Sequence, residues 1–376
     1  MPKPFNTLLT AEQMMSLADL CGTLHEHLPS APVVQYADKT HIKLLGGINY
    51  FVGTGRAYVV ADQTVDIATA LDTGSITAGT DYYVYLTTEA TVVISASATL
   101  PTGTLSDGTT AYSANNTRKL GGFHTICRTI AADVIESPTS VFVNKLHPLA
   151  GWTAGDVLPL SVWAINFRPC CPDPSGMVFS AACNIWVDIY NSSGTIAAPQ
   201  SKFGGTRLCE YSQTEFLTGL ANVGKRLLSD DEFWFVSVGS NCNTKVAGEA
   251  QPNPDTTGGH NDTVGYPMIS EIGCEECCGL QNQWLRDNYM VSQNAGSWDN
   301  GSTYATKAFD GGNNSFGSMF YMQYFRASGA GGSWTTSSLP ALGPLFRYTS
   351  YSRSSRVVAI GARGSSPHTS IPLNVI

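Results

Sequence analysis

The residues most capable of chemistry in this chain are its ten cysteines. Cys274-Glu275-Glu276-Cys277-Cys278 contains a C-x-x-C spacing, and Cys170-Cys171 could supply further thiolates to a zinc ion. A structural zinc site normally has two such pairs at regular spacing, and acidic neighbours raise thiol pKa values. We therefore predict no metal site and no strongly activated thiolate, which leaves buried thiols or a disulfide as the alternatives at these positions.

Three other groups resemble ligand sets without completing one. His25-Glu26-His27 lacks the spacing of a helical metal site and fits a solvated helix end. Gln251-Pro252-Asn253 and Trp298-Asp299-Asn300 resemble the calcium and sugar ligands of C-type lectins, but the second triplet is in the wrong order. Calcium-dependent sugar binding stays open as a minor alternative, and we predict no cofactor.

The segment from Arg347 to Gly364, RYTSYSRSSRVVAIGARG, mixes aromatic, small, cationic and aliphatic residues without a helical or strand period. Packing into a core does not explain such a pattern. Tyrosines supply contact area with few rotatable bonds, and serines supply adaptable hydrogen bonds, as in antibody paratopes. The segment therefore indicates a binding surface.

Composition narrows the class of partner. Charged residues make up only 13% of the chain, the formal net charge is -8, and no long basic run occurs. A duplex-binding protein needs many phosphate-neutralising side chains, so we predict no nucleic-acid partner. The chain also lacks an apolar run of membrane-spanning length, and MPKPFNTLLT does not resemble a secretion signal. We expect synthesis in a cytoplasm, no membrane insertion, and a polar uncharged surface suited to a virion protein.

The chain is long enough for two main domains. TAEQMMSLADLCGTLHEHL, from Thr10 to Leu28, has the three-four apolar spacing of a short helix, which needs either sister chains or its own domain as a partner. From about His41 to His147, β-branched and aromatic runs alternate with turn residues, a pattern typical of a β-sandwich. Further strands, helical patterns in SQTEFLTGLANVGKRL and SDDEFWFVSV, and long polar loops follow.

Several strings occur together and in a characteristic order: AGTDYYVYLTTEATVV, RKLGGFHT, WAINFRPCCPDPSGM, SKFGG, GKRLLSDDEF and GGSW. In this combination the chain resembles the phage variable proteins of diversity-generating retroelements. The resemblance implies an α+β, β-rich fold and a homotrimer. The expected domains are an N-terminal helical attachment segment at 1–40, an Ig-like β-sandwich at 41–147, and a C-type lectin domain, similar to formylglycine-generating enzymes, at 148–376. The variable region would span about 333–364.

The same resemblance implies roles for individual residues. The variable, ligand-contacting positions would be Ser333, Thr335, Ser337, Leu339, Tyr348, Ser350, Tyr351, Ser355, Val357, Ala359, Ile360 and Gly364. The invariant scaffold would be Trp334, Arg353, Gly361 and Arg363. In this family, adenine mutation randomises the first two bases of Asn codons, which never yields Lys, Glu, Gln, Met or Trp. None of these five residue types occurs from Thr335 to Ile376.

The implied function is receptor recognition at the tip of a phage tail fibre, in the virion, without catalysis. The partners would be a host cell-surface protein or glycan and other tail-fibre proteins. One alternative is a structural tail protein. A second is a formylglycine-generating oxidase, which needs a reactive cysteine pair in the C-terminal part of its domain, but no cysteine follows Cys278. A third is a polyanion-binding surface, for which only Arg347 and Arg356 would be free of structural roles.

Overall fold

The computed structural model describes residues 28–136, 145–248, 250–253, 255–291, 305–308, 315–321, 324–336, 343–349 and 351–369. Within these ranges the chain is mostly β-structure, with two α-helices and one short 3-10 turn at Pro159–Ser161. The predicted β-rich class is confirmed. The helix predicted over Thr10–Leu28 lies outside the described residues except for its last position.

Small antiparallel sheets form the first part of the chain. Their strands are β1 (Val34–Asp38), β2 (His41–Leu44), β3 (Ile48–Val52), β4 (Gly55–Val59), β5 (Gln63–Asp66), β6 (Asp81–Thr87), β7 (Val92–Ser95), β8 (Thr117–His124) and β9 (Trp163–Ala164). They pair in the orders β1-β2-β5, β3-β4 and β7-β6-β8-β9. In β3, Ile48, Tyr50 and Val52 are buried and Asn49 is exposed, which is the alternation expected of a strand with one face on a core.

The hydrophobic core of these sheets extends beyond the predicted domain end at residue 147. Val157, Val162 and Ala164 are buried in it. Trp163 and Ala164 form β9, which pairs with β8. The bounds at 41–147 and 148–376 stay predictions.

The middle of the chain contains short strands and both helices. The strands are β10 (Arg168–Pro169), β11 (Met177–Ser180), β12 (Ile185–Asp188), β13 (Ser192–Thr195), β14 (Ala198–Ser201) and β15 (Arg226–Leu227), and the helices are α1 (Gln213–Asn222) and α2 (Asp230–Val236). Each helix begins with a capping box, formed by Ser212 with Glu215 and by Ser229 with Glu232. Helix α1 ends before Gly224, whose φ of 72° suits glycine. The helical pattern predicted in GKRL is therefore a turn and a strand.

A six-stranded mixed sheet forms the C-terminal part. Its strands are β16 (Asn282–Val291), β17 (Ala305–Ala308), β18 (Ser315–Tyr321), β19 (Tyr324–Gly331), β20 (Gly343–Thr349) and β21 (Ile360–Ala362), in the order β17-β18-β20-β19-β16-β21. The last strand, β22 (Gly364–Thr369), instead pairs with β10, β12 and β15. The C-terminal segment therefore connects this sheet to the middle of the chain.

Candidate functional site

Strand register places three of the site residues in one row across the C-terminal sheet. Trp284 of β16 lies opposite Gly329 of β19, which lies opposite Tyr348 of β20. Directly opposite residues point to the same face of a sheet. Gly329 has no side chain, so β19 places no side chain between Trp284 and Tyr348 in this row.

The ring of Tyr351, from the loop that follows β20, lies near both aromatic residues. Its centroid lies 4.8 Å from that of Tyr348 and 6.3 Å from that of Trp284. Trp284 is buried, whereas both tyrosines are half-buried. Burial raises the pKa of the Tyr351 phenol, and a hydrogen bond with Tyr348 raises it further. Trp284, Tyr348 and Tyr351, which we call the aromatic cluster, thus offer two phenol groups beside a buried indole.

Residues 351–359, which we call the C-terminal loop, are held by backbone and serine hydrogen bonds. The amide of Ala327 donates to the carbonyl of Tyr351 at 3.1 Å, which fixes the start of the loop to β19. The amide of Ser352 donates to the hydroxyl of Ser355 at 3.1 Å, and the amide of Ser355 donates back to the carbonyl of Ser352 at 3.0 Å. This closed turn gives the loop a defined conformation despite its polar sequence.

Arg363, for which the family resemblance implies a scaffold role, lies inside the protein. Its side chain is fully buried and donates to the carbonyl of Asp188 at 2.7 Å, to the side chain of Gln283 at 3.1 Å, and to the carbonyls of Ile189 and Glu275. The guanidinium therefore links β12, β16 and residues 274–278, which we call the cysteine-rich turn. Gly361 is also buried, and a Cβ there would meet the end of the Gln281 side chain at 2.2 Å; its scaffold role stays a prediction.

Trp334 packs beneath the C-terminal loop. Its indole is buried, and the guanidinium of Arg207 lies 4.7 Å from the centre of its ring. Arg207 also binds Asp255 at 2.8 Å and donates to the carbonyl of Val358 at 3.3 Å. Sequence analysis missed Arg207, because nothing in its local pattern separates a stacked buried arginine from an exposed one.

Arg353, for which the family resemblance also implies a scaffold role, lies at the surface. Its side chain is exposed, but its Nε donates to Gln213 Oε1 at 3.1 Å. Gln213 is buried and donates in turn to the carbonyl of Leu285 at 2.6 Å. The contribution of Arg353 is therefore a surface hydrogen bond to a buried amide, not burial of its own side chain.

The predicted contact residues differ in exposure. Thr335 is exposed, and four others are half-buried: Tyr348, Tyr351, Ser355 and Val357. Ser333, Ala359 and Ile360 are buried. Ser337, Leu339 and Ser350 lie outside the described residues. In the single chain the candidate contact surface is therefore narrower than predicted, because the buried side chains do not reach solvent.

Gly364 does not fit the role of a variable contact residue. A Cβ at this position would lie 2.5 Å from Asp188 Oδ2 and 3.0 Å from Leu220 Cδ2. Asp188 forms a buried ion pair with Lys225 at 2.6 Å and accepts from the Gly364 amide at 3.0 Å. Variation here would disturb that buried pair, so we remove Gly364 from the contact set.

The two arginines predicted to be free are both paired. Arg347 is buried, forms an ion pair with Asp230 and donates to the carbonyl of Pro344 at 2.7 Å. Arg356 is exposed and binds the carboxylate of Glu215. Because both positive charges are compensated, the structure gives no support to a polyanion-binding surface.

The cysteine-rich turn lies inside the protein. Cys274, Cys277 and Cys278 are buried and have free thiols. Burial raises the pKa of Cys274 and Cys278. A hydrogen bond from Cys274, together with the charge of Arg363, lowers the pKa of Cys277 to about 7. Its thiol is fully buried, whereas reactive cysteines are partly exposed, so the absence of a strongly activated thiolate stays a prediction. No group of three or more potential metal ligands occurs among the residues the structure describes.

A polar cleft of about 480 Å³ lies elsewhere, bordered by Asp81, Ser175, Lys202 and Lys225. Asp81 contacts His124 at 3.0 Å, and Lys225 binds Asp188. The amide of Gly176 donates to the Asp81 carboxylate at 2.8 Å, and this hydrogen bond joins the first part of the chain to the middle part. Within the part of the chain that the structure describes, neither α-helix has the length and apolar character needed to cross a membrane.

Comparison with known proteins assigns the architecture. Residues 32–163 match the model of the Mtd second domain. Over 93% of its length the chain superposes on 87% of the Major Tropism Determinant U1 variant, with a TM-score of 0.67 and 23% identity. The M1 variant gives a TM-score of 0.66 at 23% identity, covering 90% of this chain and 84% of that one. The chain has the major tropism determinant fold.

A sequence relative supports the same assignment. The tail fiber receptor-binding protein of Bordetella phage BPP-1 is 28% identical over 265 residues. The aligned part spans 64% of this chain and 64% of that relative. The predicted resemblance to a retroelement variable protein of the major tropism determinant type is therefore confirmed.

Proposed function

We propose that this protein is the receptor-binding protein at the tip of a phage tail fibre and that it recognises a host cell-surface protein or glycan. The aromatic cluster carries the proposal. Two half-buried tyrosines, whose ring centroids lie 4.8 Å apart, lie beside a buried tryptophan. Strand register fixes Tyr348, and the hydrogen bond from the Ala327 amide fixes the backbone of Tyr351. Tyrosines held in this way lose little conformational entropy on binding, which is the property that rigid paratopes use.

The proposed contact surface consists of the cluster tyrosines together with Thr335, Ser355 and Val357. These residues are exposed or half-buried, whereas Trp334 and Arg363 are buried beneath them. Changes in the surface residues can therefore alter recognition while the buried contacts keep the fold. Ser337, Leu339 and Ser350 belong to the proposal on the sequence pattern alone.

The wider proposal follows the family resemblance. The first part would be an Ig-like sandwich and the second a C-type lectin domain, with three chains forming a homotrimer attached to other tail-fibre proteins. The protein would be made in the host cytoplasm and assembled into the virion. The names of its relatives describe tropism and receptor binding, which supports a binding protein over an enzyme.

The direct test is binding of the purified chain to a panel of bacterial strains. The protein should be retained by strains that the parent phage infects, and an excess of it should block adsorption of that phage. Retention by none of the infected strains at micromolar protein, with phage adsorption unaffected, would contradict the proposal and favour a structural tail role.

A further inference from the structure

The amino-terminal end of α1 contacts the C-terminal loop through both backbone and side chains. The amide of Glu210 donates to the carbonyl of Val357 at 3.2 Å, and the amide of Thr214 lies 3.4 Å from the carbonyl of Arg353. Gln213 accepts from the Arg353 side chain, as described above. The loop is therefore fastened to α1 as well as to its own sheet.

The ion pair among these contacts joins Arg356 to Glu215. Arg356 Nε lies 3.0 Å from Glu215 Oε2, and its Nη2 lies 2.5 Å from Oε1. Both carboxylate oxygens are engaged by one guanidinium, which fixes orientation as well as distance. The side chain of Arg356 is 62% exposed and that of Glu215 is 30% exposed. Dissolved salt can therefore screen the attraction between them.

Glu215 is held in place before it meets the loop. Its Oε2 accepts from the amide of Ser212 at 2.9 Å and from the Ser212 hydroxyl at 2.7 Å. The Ser212 amide is the main cause that lowers the pKa of Glu215, and Arg356 adds to it. The carboxylate is thus ionised near neutral pH and already oriented by the capping box of α1.

We propose that Glu215 is a positioning residue for receptor recognition: through Arg356 it holds the C-terminal loop in the conformation that presents Tyr351, Ser355 and Val357. This inference rests on the proposed function. Without the pair, the loop keeps its contact with Ala327, its serine turn and the bond from the Glu210 amide to the Val357 carbonyl, but it loses its ion pair with α1. The loop then populates more conformations. Only molecules whose loop is in the binding conformation can bind the receptor, so the apparent affinity falls in proportion to their fraction.

The chain offers a variant and a matched control. Glu215→Gln removes the charge that binds Arg356 but keeps a residue that can complete a capping box. Glu232→Gln makes the same change in α2, where Glu232 completes the box with Ser229 and binds Arg226 at 2.6 Å and 2.7 Å. The second pair does not involve the C-terminal loop, so general effects of losing such a pair appear in both variants.

The first readout needs no receptor. Hydrogen exchange of the loop amides, residues 352–359, should be about two- to five-fold faster in Glu215→Gln than in the wild type, as expected for loss of one exposed ion pair. The difference should shrink at about 0.5 M salt. Exchange equal to the wild type, or accelerated as much by Glu232→Gln, would overturn the proposal.

The second readout is retention of the purified protein by host cells, with Tyr348→Ser alongside. Weaker retention of Glu215→Gln, with Glu232→Gln unchanged, supports the proposal. Normal retention of Glu215→Gln while Tyr348→Ser loses binding would overturn the positioning role. If loop exchange is accelerated but both Glu215→Gln and Tyr348→Ser bind normally, the clamp on the loop stands, and it is the proposed binding surface that fails.

Discussion

At the scale of single residues, the arginines of the C-terminal segment divide by burial. Arg363 and Arg347 are buried among carbonyl and carboxylate partners, whereas Arg353 and Arg356 lie at the surface and bind residues of α1. The family resemblance implied a scaffold role for both Arg353 and Arg363 but could not distinguish these two kinds of contact. The stability that each contributes should differ accordingly.

Replacement of Arg363 tests this difference. Arg363→Gln should lower the free energy of unfolding by about 3 kcal/mol, because it leaves buried carbonyl groups without a donor. Arg356→Gln, at an exposed position, should lower it by less than about 1 kcal/mol. Urea unfolding of both variants provides the measurement. Equal and small losses would show that the Arg363 contacts do not stabilise the fold.

Glu136 gives a prediction about pH. Its buried carboxyl group lies 3.3 Å from the Lys145 ammonium, which also binds Glu271 at 2.6 Å. Burial, followed by the neighbouring Glu271, raises the pKa of Glu136 to about 7. A raised pKa means that the folded state binds the proton more tightly than the unfolded state. The stability this adds is present below the unfolded value, about 4.5, and is lost as the pH rises to about 7.

Glu136→Gln should remove this dependence. Between pH 5 and pH 8, the wild-type free energy of unfolding should fall relative to that of the variant, whose amide cannot ionise. Chemical unfolding at both pH values measures the difference. The pKa of Glu271 is lowered, so its contribution to the free energy of unfolding changes only below about pH 4.5. Titration of Glu271 therefore does not affect the comparison between pH 5 and pH 8. Parallel pH profiles for the two proteins would refute the assignment.

At the scale of secondary structure, the amino-acid pattern predicted many strands and both helices. Runs such as INYFVGTG and TDYYVYLTTEATVV became β3, β6 and β7 because their alternation and turn residues define strands locally. The start of each helix was also encoded, since SQTE and SDDE are capping boxes. Local sequence is sufficient where the stabilising contacts are local.

Other features depended on distant partners and could not be predicted. The row from Trp284 through Gly329 to Tyr348 joins three strands far apart in sequence. The burial of Ser333, Ala359 and Ile360 results from such long-range contacts, and so does the crowding around Gly364. A one-dimensional pattern of variable positions gives no information on which side chains the packed sheet leaves at the surface.

Strand β22 supplies a test at this scale. Gly364→Ala should lower the free energy of unfolding by about 1–3 kcal/mol, because its Cβ would crowd Asp188 within the buried ion pair. Gly55→Ala in β4 is the control, since its Cβ would meet no atom closer than 3.4 Å. Thermal unfolding of the two variants is the measurement. If Gly364→Ala is as stable as the control, Gly364 returns to the set of variable positions.

At the scale of the whole molecule, we predict a homotrimer. The family resemblance supports it, and the apolar spacing from Met14 to Leu28 predicts a helix too short to be stable alone. Three sites facing one direction would convert weak single contacts into stable attachment through avidity. Light scattering should give about three times the chain mass of 40.1 kDa. A stable monomer at micromolar concentration would exclude this assembly.

The central claim is that the aromatic cluster binds the host while the buried scaffold maintains the fold. Tyr348→Ser tests it, with Tyr58→Ser as control, because Tyr58 is an exposed tyrosine of β4 in the first part of the chain. Retention by susceptible cells and thermal unfolding are measured for both. Tyr348→Ser should weaken retention by about tenfold or more, as loss of an aromatic anchor does, with the free energy of unfolding within about 1 kcal/mol of the wild type. Tyr58→Ser should change neither quantity. Full retention of the Tyr348→Ser variant by the cells would contradict the claim. So would a control variant, Tyr58→Ser, that loses as much retention as Tyr348→Ser.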